Sequence, residues 1–435
     1  MNKKIFFNKV FIFSILILAA IILSVLLSGS VINNKIEKNI GQWPEIRYLD
    51  KNLIQEKIQQ GKDYLLRTID KNENGAHKYY YPTDDTFENK LYTIYTSSTI
   101  YTLLKIYNSE KDEELLKQIY NSADFILSMQ NKEDKKVFGA FYYSYDLDIK
   151  EKELKYFTGT SAKTIFTLIK LYELSGDKKY LESAKLAGDW LLTMKKSNGS
   201  TKSYIRYDSE SKKWFSGTKE SLLYNGQVLS AFSRLYLATK EENYYKGAEN
   251  IAKYLAGKYE EVGRNYIKDD YREINPISNS WVVMSLIDFY RAKKSDYYEK
   301  IVFEMANRIL NDQMDDPNKL STYGQWKGVY STSGVGWISE VMSELYDFCQ
   351  KENKNDCEKY KEAVVLATRW LVQNTYPKES MSGVKNPEMA LGGIPWDQRQ
   401  EYIRTDSVCH GLNSYLNIIN ELADSSLISI TVSQP

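Results

Sequence analysis

The chain has 435 residues, enough to bury a large core, with 58 Lys and Arg against 57 Asp and Glu. That balance excludes the basic field needed to hold a nucleic-acid backbone, and the three cysteines, Cys349, Cys357 and Cys409, allow at most one disulfide and match no metal-binding spacing. Thirty-six tyrosines raise the aromatic content to 14 %, more phenols than a core readily supplies with hydrogen-bond partners, which suits a cleft or surface; a general enrichment in Tyr, Lys, Asn and Ile would have the same effect.

The first expected element is the uncharged 23-residue run Val10–Ile32, long enough to cross a bilayer as one transmembrane helix. Lys3, Lys4 and Lys9 precede it, so the N-terminus is expected in the cytoplasm and the rest of the chain outside, held at the cell membrane. A cleaved signal peptide is the alternative, with Ser28, Gly29 and Ser30 near a cut; the length of the run favours an anchor. The expected division is a basic tail (1–9), a transmembrane signal-anchor (10–32), a linker (33–50), a folded domain (51–424) and a C-terminal tail (425–435).

Within the domain one segment recurs six times, at Ser97–Tyr107, Ala162–Tyr172, Gly226–Tyr236, Ser280–Tyr290, Gly336–Tyr346 and His410–Asn420. Four residues before the last position stand Leu103, Leu168, Phe232, Leu286, Met342 and Leu416, marking one face of a helix. The first position is small in five copies, which lets neighbouring helices approach closely, and histidine in the sixth. A second helical run precedes each copy and ends near Leu66, Ile126, Leu191, Leu255, Leu310 and Leu371, so six helical hairpins are expected from about Leu53 to Leu422.

Between the two helices of each hairpin lie long segments rich in Tyr, Gly, Asp and Asn: roughly 70–92, 131–157, 198–219, 260–276, 313–331 and 377–405. Phe138–Asp146 and Ser203–Asp208 alternate like short strands of β-hairpins. If the hairpins close into a ring, the long loops gather on one face, where function is expected, and the short returns such as Ser175-Gly176-Asp177 on the other.

This pattern resembles the six-hairpin glycosidase superfamily, whose members share an all-α (α/α)6 toroid with the active cleft at the N-terminal ends of the inner helices. The resemblance covers nearly the whole chain after the apolar run. Residues 224–255, with Gly226-Gln227 opening a helix, further resemble a hairpin of the C-terminal domain of glucuronyl C5-epimerases. Residues 404–410 are similar to an Asp-to-His cluster of those enzymes, although no tyrosine adjoins Asp406. The resemblance implies a carbohydrate-active enzyme, acting by glycoside hydrolysis or by C5-epimerisation of a uronic acid.

The densest chemistry is expected in the last loop, where Trp396, Asp397, Arg399, Glu401, Arg404, Asp406 and His410 converge on the start of the sixth inner helix. Asp406 lies one turn before His410 and Arg404 is near enough to hold it ionised, so a catalytic role for Asp406, His410 and Arg404 is one reading; the other is that Thr405 and Asp406 cap the helix. Glycoside cleavage usually takes two carboxyls, and Glu340 is the expected partner, with a raised pKa and an acid role, because Tyr101, Phe166, Ser230 and Met284 occupy its place in other copies. Sugar binding is expected from Trp396, Asp397, Trp337, Trp281, Tyr224, Gln227, Tyr143, Asp146, His77 and Tyr81, with Trp326 as a further platform and Arg206 as an alternative to Arg404 for stabilising an enolate. His77 and His410 are expected in one cleft, but without matched carboxylates they define no metal site, and no cofactor is expected. A non-catalytic toroid that binds glycan or assembles with an envelope partner is the alternative to an enzyme.

Overall fold

The computed structural model describes residues 45–378, 383–419 and the backbone of Ile428–Ser429. The apolar run Val10–Ile32 and most of the two expected tails lie outside the described residues, among which no helix is long and apolar enough to cross a membrane.

The helices follow in chain order as α1 (Lys51–Arg67), α2 (Thr93–Glu110), α3 (Glu113–Ser128), α4 (Thr158–Ser175), α5 (Lys178–Thr193), α6 (Leu222–Thr239), α7 (Glu242–Glu261), α8 (Pro276–Ala292), α9 (Asp296–Asn311), α10 (Thr332–Lys351), α11 (Glu358–Gln373), the short α12 (Pro387–Ala390) and α13 (Thr405–Ile418). Local chemistry sets their ends. Asp50, Asp112 and Asp177 accept backbone N–H bonds at the starts of α1, α3 and α5, Ser221 and Ser331 do so for α6 and α10, and Asn275 followed by Pro276 opens α8. Three short returns place a left-handed residue before an acidic one: Lys111–Asp112, Gly176–Asp177 and Lys240–Glu241, with φ of 55°, 70° and 60° at the first member.

α2, α4, α6, α8, α10 and α13 form an inner ring, each packing on the next and α13 closing on α2. They are buried on most of their circumference, whereas α1, α3, α5, α7, α9 and α11 lie outside them and bury only a stripe. Small residues bring the inner helices together. A Cβ on Gly226 would lie 2.8 Å from the Trp281 carbonyl oxygen, Ser97 and Thr164 meet hydroxyl to hydroxyl at 3.0 Å, and Ser339 meets Ser414 at 2.6 Å. Several other buried hydroxyls return to their own backbone, as Thr96 does to the Tyr92 carbonyl at 2.8 Å.

The long loops stand on one face and carry β1 (Tyr48–Leu49), β2 (Tyr79–Tyr81), β3 (Thr86–Phe87), β4 (Lys90–Tyr92), β5 (Ser144–Asp146), β6 (Glu151–Lys152), β7 (Lys155–Phe157), β8 (Tyr204–Asp208), β9 (Lys213–Ser216), β10 (Ile403–Arg404) and β11 (Ile428–Ser429). Three antiparallel sheets, ordered β10-β2-β3, β4-β5-β6 and β7-β8-β9, stitch the sixth loop to the first, the first to the second and the second to the third. β1 pairs with β11. The strand expected over Phe138–Asp146 is confined to its last three residues. Gly139, at φ 88°, turns the chain against the Leu186 carbonyl, which lies 2.1 Å from where a Cβ would stand. Trp326, expected as a sugar platform, is instead completely buried.

Candidate active site

At the loop face the N-terminal turns of the inner helices surround a cavity of about 380 Å³. The helix periodicity repeats in its wall. The residue following each small first position of the repeat, Ser98, Lys163, Gln227, Trp281 and Trp337, reaches the cavity from five inner helices, and His410 completes the layer from the sixth. One turn deeper, Tyr101, Phe166, Met284, Glu340 and Asn413 line a chamber of about 40 Å³ that shares Ser98, Lys163, Trp337 and His410 with the mouth.

Two hydrogen-bonded pairs define the sixth hairpin's side. β10 sets Arg404 opposite Tyr79 on β2, immediately before α13. From there its Nε donates to Asp406 Oδ1 at 2.5 Å, and its Nη2 donates to Asp406 Oδ2 at 2.7 Å and to Ser333 Oγ at 3.0 Å. Burial works against the Asp406 charge, but Arg404, with support from His410 and Lys78, outweighs it and holds the carboxyl below its ordinary value. No side chain caps α13, so Asp406 is spent on Arg404 rather than on the helix terminus; Thr405 donates to the His77 carbonyl at 2.6 Å.

One turn on, His410 Nδ1 lies 2.5 Å from Glu340 Oε1, while Asn413 Nδ2 donates to Glu340 Oε2 at 3.2 Å. The acid role expected of Glu340 rested on a raised pKa, and the opposite holds. Burial pushes it up, but His410, Lys105 and Lys163 outweigh burial and hold the carboxyl below its ordinary value. Gly336 of α10 faces His410: a Cβ on Gly336 would lie 2.8 Å from the His410 Cβ.

Aromatic side chains shape the rest of the cavity. Trp281 and Trp337 stack at 3.6 Å with 12° between their planes, and Trp337 meets the His410 ring edge-on at 5.7 Å. Trp396 lies beneath the Arg404 guanidinium at 5.4 Å and stacks on Tyr402. Tyr143 and Tyr224 close the far side against Phe157, and burial pushes the Tyr224 phenol up to about 12.

Four expected binding residues stand elsewhere. His77 stacks on Phe87 at 4.7 Å, takes the Glu88 carbonyl on Nδ1 and lines a groove on the outer surface, so the two histidines do not share a cleft. Tyr81 packs on Tyr402 in the β10-β2-β3 sheet. Asp146 closes its own hairpin by accepting from the Asp148 and Ile149 amides, and Asp397 is taken up by Arg399. Arg206 lies over Phe215, away from the cavity lining. Lys163, Ser333, Tyr95 and Arg272 line the cavity without having been singled out in the sequence. For Lys163 the signal was present: it is the one charged residue in the repeat position also held by Ser98, Gln227, Trp281, Trp337 and Gly411. Among the described residues no three His, Cys, Asp or Glu side chains gather as metal ligands.

No protein-family model matches the sequence, and no curated protein matches it. Solved structures do. Cellobiose 2-epimerase from Bacillus thermoamylovorans superposes with a TM-score of 0.66 at 12% identity, over 85% of this chain and 99% of that one. The unsaturated glucuronyl hydrolase from Streptococcus agalactiae does so with 0.58 at 16%, over 90% and 97%. An inactive variant of an α-1,6-mannanase from Salegentibacter sp., in complex with α-1,6-mannotriose, gives 0.58 at 14%, over 84% and 99%. The chain therefore shares the (α/α)6 toroid fold with these three proteins, as its repeat implied.

Proposed function

We propose that the chain is a carbohydrate-active enzyme that hydrolyses a glycosidic bond in a polysaccharide or surface glycan. The observation that carries this reading is the pair Asp406 and His410, one helical turn apart at an aromatic-walled cavity, each fixed by its own partner. An ionised Asp406 is suited to activating water. His410, with Nδ1 engaged by Glu340 and Nε2 without a partner among the described residues, is suited to passing a proton to the leaving oxygen. Gln227 Oε1 and Trp337 Nε1 are buried in the cavity wall without a hydrogen-bond partner in the protein. The solved structures of this fold named above include an unsaturated glucuronyl hydrolase, a mannanase and a cellobiose 2-epimerase, which supports the substrate class.

A second reading, C5-epimerisation of a uronic acid, is favoured by one observation: Asp406 is the only carboxylate among the described residues lining the mouth, whereas hydrolases usually set two across the sugar. Removing and returning a proton asks for a base and an acid, which Asp406 and His410 also provide. Reducing-end release from a panel of glycans, run beside deuterium uptake into uronic acids, separates the two. Loss of either signal in Asp406→Asn assigns the reaction, and glycan binding with neither signal would leave a binding toroid.

The proposed setting is the outer side of a membrane, with Val10–Ile32 as a signal-anchor, residues 33–50 as linker and the domain at 51–424. The Cys349–Cys357 disulfide supports it, because such bonds persist in oxidising compartments. Protease treatment of intact cells tests it: the domain should be digested while an epitope placed before Val10 stays protected.

A further inference from the structure

Among the described residues, five titratable side chains other than tyrosine reach the mouth cavity: Lys163, Arg272, Arg404, Asp406 and His410. Four have a counter-charge. Arg404 holds Asp406, His410 meets Glu340, and Arg272 lies 3.7 Å from Asp269. Lys163 has no hydrogen bond or ion pair within the described residues. Its Nζ sits 5.3 Å from the centre of the Trp281 ring and 5.6 Å from that of Trp337, over the stacked pair. The indole faces hold the ammonium in place without neutralising it. Glu340, the acid beside it, has one oxygen on His410 and the other on Asn413. Burial, opposed by Glu340, lowers the Lys163 pKa, as expected for a cation short of an anion.

We propose that Lys163 receives a carboxylate carried by the substrate, so that the site selects uronic acids over neutral hexoses. The inference rests on the carbohydrate reading above and adds the substrate class to it. A sugar carboxylate brings the counter-charge that the cavity lacks and accepts a charge-assisted hydrogen bond from a donor already held in position. A neutral hexose leaves that ammonium unpaired while displacing its water, which is how a buried polar group discriminates against the analogue lacking its partner.

The test is calorimetric binding by the full chain in detergent, using methyl glycosides of glucose, galactose and mannose and the matching methyl uronides. Wild type should bind at least one uronide roughly tenfold more tightly than its neutral counterpart. Lys163→Met should erase that preference while leaving the neutral sugar's affinity within about twofold, and Lys163→Arg should restore much of it. Unchanged melting temperatures would show that the variants fold. Equal binding of both members of every pair by wild type overturns the proposal and leaves the carbohydrate reading standing, as does a preference that survives in Lys163→Met. Binding of no sugar by wild type overturns both.

Discussion

His410 of α13 occupies the space that a side chain on Gly336 of α10 would need: a Cβ there would lie 2.8 Å from the His410 Cβ and 2.9 Å from its carbonyl carbon. The glycine and the histidine are thus one feature shared by two helices. Gly336→Ala should push α13 away and misplace His410. We expect a stability loss of about 1–3 kcal/mol by urea unfolding, with turnover falling more than tenfold.

The two lowered carboxyls set the acid behaviour of the fold. Glu340 and Asp406 both lie below their ordinary values of 4.5 and 3.8. Each therefore stabilises the native state fully above those values, and that stability is lost as pH falls through the lowered folded value. Melting temperature should decline below about pH 4.5, and Glu340→Gln, less stable at neutral pH, should show a shallower decline. An identical slope in both proteins would contradict the hydrogen bond with His410.

Arg404→Ala leaves Asp406 partly buried without its fork of hydrogen bonds and should cost about 3 kcal/mol in urea unfolding. The double variant Arg404→Ala with Asp406→Ala should recover part of that loss. Recovery reports the coupling between the two, because the lone carboxylate is the costly species.

Arg369 is wholly buried and donates to the backbone carbonyls of Ile46, Tyr323 and Leu320 at 2.6, 2.6 and 2.8 Å. Arg369→Met keeps the bulk but strands the Ile46 and Tyr323 carbonyls, the Leu320 carbonyl keeping the Gln373 amide at 3.1 Å, so about 3 kcal/mol should be lost by urea unfolding. Arg369→Lys should rescue little, since one ammonium cannot reproduce a planar fork.

Cysteine reactivity should follow burial. Cys349 and Cys357 are bonded, and burial pushes the Cys409 thiol up to about 12. Iodoacetamide at pH 8 should label no cysteine in the native protein and only Cys409 after unfolding without reductant, as read by mass spectrometry.

The sequence displayed the ring more fully than the chemistry inside it. The spacing of Leu103, Leu168 and Phe232 identifies an inner helix in each copy because burial enforces periodicity, and the small residues at Gly226 and Gly336 mark close approaches that the structure contains. The direction of the Glu340 shift was not legible, since it depends on His410, 70 residues away in sequence. Nor was the direction of His77, whose backbone adjoins Thr405 while its ring turns outward onto Phe87. Lys163 stood in the open as an exception within the repeat, but an exception acquires meaning only once the layer it belongs to is known to face a cavity.

Closure of the ring has a consequence for how the chain is made. α13 meets α2 along a seam where Thr99 lies 3.9 Å from Cys409 across 310 residues of sequence, and Thr405 reaches the His77 carbonyl across 328. Until α13 docks, the last inner position stands open, and α2 and α10 show water the surfaces that α13 covers. Like a barrel waiting for its final stave, the ring lacks its site until α13 is in place, and the histidine and aspartate of that stave arrive together with the seal.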